Sequence, residues 1–110
     1  MTPLPDVILS YQDAHDRRDT HVALASFTAD AIVRDDGHEH RGAVEIRDWL
    51  SRTSVAFTYT RTMITASAVD DSTWLVTNRL EGNFPGGVVD LQYRYRLEHG
   101  LLIRELEIAP

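Results

Sequence analysis

From Phe57 to the end, the chain reads as one strand after another. The runs "FTYTRTMITASAV", "TWLVTNRLEGNF", "VVDLQYRYRL" and "LLIRELEI" are rich in β-branched and aromatic residues. Asp70-Asp71-Ser72, Pro85-Gly86-Gly87 and Glu98-His99-Gly100 separate them. Turns that short can only join antiparallel neighbours, because a parallel pair needs a long crossover. In the third run Leu91, Tyr93, Tyr95 and Leu97 alternate with Gln92, Arg94 and Arg96, which predicts one apolar and one polar face. The Pro85-Gly86 step has type II turn chemistry and precedes no helix, so "GNFPGG" is not read as a phosphate loop.

The first half has helical spacing instead. Leu4, Ile8, Tyr11 and Ala14 or His15 share a face of a helix expected from about Pro3 or Pro5 to Arg18, started by Thr2 or the Leu4–Pro5 step. Asp19 is placed to cap a second helix, "THVALASF", with Ala23, Leu24 and Phe27 inward. "AIVRD" and "HEHR" flank Asp36-Gly37, a two-residue hairpin signal. After Gly42, "AVEIRDWLSRT" predicts a third helix with Ile46, Trp49 and Leu50 buried and Glu45, Arg47 and Asp48 in water. Helices segregated from a run of antiparallel strands give an α+β domain: a curved, mostly antiparallel sheet wrapped around three N-terminal helices. A pocket is expected between the concave face and the helices.

With 110 residues and 43% hydrophobic content, a single domain over 1–110 is expected. The net charge of −6, without a basic stripe, argues against a nucleic-acid partner. The absence of cysteine excludes disulfides and thiolate metal sites. "MTPLPDVILS" lacks the basic and long apolar regions of a secretory leader, and no apolar run approaches membrane-spanning length. A cytoplasmic protein is the expectation.

The stretch "RDDGHEH" holds the densest chemistry. In a two-residue turn Asp35 faces His38 and Val33 faces His40. Because Val33 is apolar and should point inward, Asp35, His38 and His40 would follow it, with Arg34 and Glu39 paired on the other side. A bulge at Gly37 would instead shift the register. A carboxylate at a pocket rim suits proton abstraction beside a carbonyl, although an aspartate also simply begins turns. The HxH pattern with Asp35 has the residue types of a two-histidine, one-carboxylate metal site. His38 could instead modulate Asp35, and His40 could simply meet water at the rim. Tyr11 either offers its hydroxyl to the pocket or packs in the core, and His15 is read as a helix-end residue favoured by the dipole. Trp49, Phe57, Tyr59, Trp74, Phe84 and Tyr95 could line an apolar cavity or form plain core. Asn78 shares the parity of Trp74 and Val76.

"YQDAHDRRD", "LASFTADAIVRDDG", "RGAVEIRDWL" and "YRYRLEHG" resemble the nuclear transport factor 2-like superfamily, in particular its SnoaL-like and ketosteroid-isomerase-like branches. The likeness spans nearly the whole chain. It implies a cone-like α+β barrel with a central pocket and no metal or cofactor. By the same resemblance Asp35 is the general base, and Tyr11 donates a hydrogen bond to the oxygen on which charge develops. The second donor, an aspartic acid in the steroid isomerases, falls here on Tyr93, or on Gln92 after a one-residue slip. The superfamily hosts isomerases, cyclases, dehydratases and epoxide hydrolases as well as non-enzymatic modules. The expected function is therefore acid–base chemistry on an apolar oxygenated molecule, such as a polyketide- or steroid-like compound. The catalytic set would be Asp35, Tyr11, Tyr93 and His38. Trp49, Phe57, Tyr59, Trp74, Asn78, Phe84, Tyr95 and His40 would bind the ligand. The alternative is a non-catalytic ligand-binding or dimerisation module. A homodimer through the sheet is expected in either case.

Overall fold

A computed structural model describes residues 4–110. Three helices, α1 (Asp6–Asp16), α2 (Thr20–Ala25) and α3 (Gly42–Ala56), are interleaved with an early hairpin, β1 (Phe27–Asp35) and β2 (His38–Arg41). Four strands follow: β3 (Tyr59–Ala68), β4 (Thr73–Gly82), β5 (Val88–Glu98) and β6 (Leu102–Ala109). They form a single six-stranded sheet in the order β2-β1-β6-β5-β4-β3. The last four strands are antiparallel neighbours, as their short turns require. β1 joins β6 in parallel, which makes the sheet mixed. The sheet does not close: β2 and β3 remain its two edges, so the cone-like form is an open one rather than a barrel. No helix among the described residues is long and apolar enough to cross a membrane.

The helix ends differ from the expected ones for local reasons. Thr2 and Pro3 lie outside the described residues, and α1 begins at Asp6 with Pro5 as its N-cap. It stops at Asp16, two residues before Arg18. Arg18 takes a left-handed φ of 58°, its N–H reaches the His15 carbonyl at 3.1 Å, and the Asp19 N–H reaches Ala14 at 2.8 Å. These two bonds form a Schellman stop with arginine where glycine is usual. Asp19 then caps α2 through its side chain, accepting from the Val22 N–H at 3.1 Å. α2 ends at Ala25, so Phe27 opens β1 rather than closing the helix. It is buried edge-on against Tyr11, ring centroids 5.2 Å apart.

The core lies between the inner sheet face and the helices. Ile46, Trp49 and Leu50 are the buried stripe of α3, and Glu45, Arg47 and Asp48 are exposed. On β5, Tyr95 and Leu97 are buried and Tyr93 half-buried, while Gln92, Arg94 and Arg96 are exposed. Three strands break simple alternation, the first being β1, whose register against β6 shifts between Phe27 and Ile32. An extra residue in β6 near Arg104 lets both Ile103 and Leu106 face the core, and a bulge near Ile64 interrupts β3. The first hairpin has no bulge. Asp36 and Gly37 both take positive φ, as a two-residue primed turn requires, and Asp35 pairs with His38 and Val33 with His40.

Candidate active site

The inner face of the sheet, α1 and the C-terminal half of α3 enclose a cavity of about 320 Å³. Trp49, Phe57, Leu80, Phe84, Val89, Leu91 and Ile108 make much of its wall apolar. Phe57 and Phe84 meet edge to face, centroids 5.9 Å apart, and Phe57 is exposed. The polar groups come from the sheet and two helices: Asp35 at the end of β1, Tyr93 on β5 with Tyr59 and Arg61 on β3, Tyr11, Gln12, His15 and Asp16 on α1, and Thr53 on α3.

Pairing explains how Asp35 and Tyr93 come together. Asp35 lies opposite Ile108, and Ile108 lies opposite Tyr93, so the three form one rung across β1, β6 and β5. Residues directly opposite project from the same face. Two strand spacings, about 10 Å of backbone, separate Asp35 from Tyr93. Trp49 on α3 donates its Nε1–H to Asp35 Oδ2 at 3.0 Å. Asp35 Oδ1 has no hydrogen-bond partner among the described residues.

Tyr11 is 2% exposed and packed against Phe27, His15 and Tyr95. Burial pushes its hydroxyl pKa well above the ordinary value, and the neighbouring Tyr95 and Tyr93 add to this. Tyr93 stacks on Tyr95 at 6.2 Å, and burial raises its pKa as well. Both hydroxyls are therefore neutral at ordinary pH and able to donate. Neither has a hydrogen-bond partner among the described residues.

His15 is a cavity residue and not merely a helix end. Its ring lies between Tyr11 and Trp49, and its Nδ1 is 3.1 Å from the Tyr59 hydroxyl. Burial lowers its pKa, Asp16 opposes this and Arg61 reinforces it, leaving the neutral imidazole favoured. Burial raises the Tyr59 pKa, so this pair is neutral on both sides. Beside it, Arg61 grips Asp16 with contacts of 2.8, 3.0 and 3.1 Å and extends a third nitrogen to Asn78 Oδ1 at 3.3 Å. Burial, the largest single influence, would lower the Arg61 pKa, but the hydrogen bonds to Asp16, the charge of Asp16 and the neighbouring Tyr95 and Tyr93 together outweigh it, and the net shift is upward.

Tyr11, Asp35 and Tyr93 thus line one cavity, with Trp49, Phe57, Tyr59 and Phe84. Other sequence candidates lie elsewhere. His38 is exposed at the hairpin tip, its Nδ1 3.3 Å from the Asp36 carbonyl oxygen. β2 is an edge strand, so no further strand covers His38. His40 stacks on Trp49 at 6.0 Å rather than lining the cavity. His38, His40 and Asp35 do not gather into a metal-ligand cluster. Asn78 and Tyr95 are wholly buried beneath the wall, bonded to Gln12, and Trp74 packs half-buried against the core. Gln12, Asp16 and Arg61 were not among the sequence candidates. Helical spacing from Ile8 would have found Gln12 and Asp16, and strand parity with Tyr59 would have found Arg61.

The SnoaL-like domain family profile matches residues 8–105. Over 96% of its length, and 95% of the other chain, the protein is similar to a Sinorhizobium meliloti protein assigned as a polyketide cyclase, with 35% identity and a TM-score of 0.89. It shares its fold with a Mycobacterium tuberculosis protein solved in complex with estradiol-17β-hemisuccinate, at 17% identity and a TM-score of 0.81 over 100% and 95% of the two chains. The same holds for SalBIII, an epoxide hydrolase/cyclase-like enzyme of salinomycin pyran-ring formation, at 16% identity and a TM-score of 0.80 over 94% and 86%. No curated protein matches the sequence.

Proposed function

The chain belongs to the SnoaL-like domain family, and from that premise we propose that it is a cofactor-independent acid–base enzyme of the isomerase, cyclase or dehydratase type. Its substrate is an apolar, oxygenated small molecule such as a polyketide- or steroid-like compound. One observation carries the reading: Asp35, Tyr11 and Tyr93 line the same largely apolar cavity.

Asp35 is the base. Its Oδ2 is held by Trp49, which leaves Oδ1 to take a proton from a carbon next to a carbonyl. Tyr11 and Tyr93, neutral because they are buried, donate hydrogen bonds to the oxygen that becomes an enolate. An isomerase returns the proton to a different carbon. A cyclase lets the enolate carbon bond to a second carbonyl carbon of the same molecule, and the resulting alkoxide collects the proton. Both outcomes conserve atoms and need no redox partner. His15, not His38, is the imidazole available to a ligand. The protein works as a homodimer through the exposed sheet face, in the cytoplasm.

A catalytically silent ligand-binding module is the second reading, favoured by the M. tuberculosis neighbour that holds a steroid conjugate. The test is turnover of a panel of polycyclic β,γ-unsaturated ketones and poly-β-keto esters by wild type and Asp35→Asn. The enzyme reading expects a loss of about 10²-fold or more in Asp35→Asn, with ligand binding and thermal midpoint retained. Binding without turnover in wild type across the panel would leave only the module.

A further inference from the structure

Beneath the cavity wall runs a chain of side-chain hydrogen bonds whose direction is set at one end. Arg61 can only donate. Its NH1 group lies 3.3 Å from Asn78 Oδ1, so the oxygen of the Asn78 amide faces Arg61 and its nitrogen faces away. That nitrogen donates to Gln12 Oε1 at 2.8 Å. Tyr95 donates to the same oxygen at 3.2 Å, which occupies both of its lone pairs. Gln12 is therefore oriented without ambiguity. Its Nε2, with two N–H groups, has no partner among the described residues. Gln12 is 4% exposed and lines the cavity, and no wholly buried polar side-chain atom among the described residues lacks a partner. The accessible part of Gln12 is thus its amide nitrogen, aimed into the cavity. Asp16 holds Arg61 at the far end, so the arrangement is anchored at the rim.

We infer that Gln12 is a specificity-determining residue that hydrogen-bonds a carbonyl oxygen of the ligand, on the strength of the donor chain Arg61–Asn78–Gln12 that points its amide N–H groups into the cavity. This rests on the reading of the cavity as a small-molecule site, and it narrows the ligand to one carrying an oxygen acceptor near α1. A site that presents a fixed, otherwise unpaired donor discriminates against an analogue lacking the acceptor, because the donor then stays desolvated and unbonded. Tyr11, the preceding residue on α1, adds a second neutral donor to the same wall.

The probes are 9-fluorenone, a flat tricyclic ketone, and fluorene, the same skeleton without the oxygen. Wild type is expected to bind the ketone at least about tenfold more tightly, the worth of one neutral hydrogen bond. Gln12→Met should lower that ratio about tenfold. In wild type the Gln12 side-chain amide proton resonance should move downfield with 9-fluorenone and stay in place with fluorene. This measurement decides the matter by itself if Gln12→Met, which leaves Asn78 and Tyr95 without their acceptor, fails to fold. An unchanged ratio in a folded Gln12→Met, or an amide resonance indifferent to the ketone, overturns the inference. Turnover of the ketone and keto-ester panel by wild type is read separately: a lost ketone preference with turnover intact overturns this inference alone, and a retained preference without turnover overturns only the acid–base reading. If neither compound binds wild type, the cavity reading and this inference both fall.

Discussion

Tyr11 and His15 show how a side chain changes its chemistry with its surroundings. Tyr11 is an ordinary phenol in water; in the core its charged form is so disfavoured that it keeps its proton and remains able to donate. Burial acts on His15 in the opposite direction, by disfavouring its cation. The unfolded chain carries this imidazole at its ordinary value near 6.5, so between that value and the lower folded one the unfolded state binds the extra proton. The contribution of His15 is therefore fully present above about pH 6.5 and is lost as pH falls through that window. Thermal midpoints from pH 7.5 to 5 should drop more for wild type than for His15→Gln. Equal drops would mean that His15 is not held neutral.

Two single positions shape elements. Arg18 closes α1 in the left-handed region, where a side chain is strained and glycine is not. Arg18→Gly should raise stability by up to ~1 kcal/mol, offset in part by the freer unfolded chain. Denaturant midpoints will read this, and a clear loss would mean that the arginine side chain contributes more than its backbone costs. Gly82 ends β4 where Thr58 and Tyr59 cross it. A Cβ there would run into the Thr58 carbonyl oxygen and Tyr59 Cβ, although Gly82 has no positive φ. Gly82→Ala should destabilise by about 1–3 kcal/mol and displace the cavity residue Tyr59. A variant as stable as wild type in urea would show that the β3 edge yields freely.

At the scale of the whole molecule, the sheet has one face committed to the core and the cavity and one left in water. The outer face is a lattice of opposite charges: Arg94 lies opposite Glu107 and Arg96 opposite Glu105. Such a face can meet its own copy with charges in register, which is the basis of the proposed homodimer. Sedimentation should give about twice the 12.5 kDa of one chain, shifting toward monomer as salt screens the charges. A single species of chain mass at low salt would remove the dimer.

The local rules that were legible in the sequence are those of period and turn. The alternation of Leu91, Tyr93, Tyr95 and Leu97 set the faces of β5, Asp36-Gly37 set the hairpin register, and Asp19 marked the start of α2. Those signals act over a few residues, where sterics and hydrogen-bond valence leave little choice. What they could not convey was adjacency between distant segments. Only the parallel pairing of β1 with β6 puts Asp35 on a rung with Tyr93, 58 positions along the chain by their numbering. Only packing of α1 on the sheet brings Gln12 to Asn78 and Asp16 to Arg61. Parity places His38 on the same side as Asp35, but exposure depends on whether another element covers it, and β2 is an edge. The sequence by itself thus determined the elements and their apolar faces, because those follow from local geometry. The tertiary structure decided which polar groups share the cavity, because burial and hydrogen-bond partners are properties of segments that meet only in the fold.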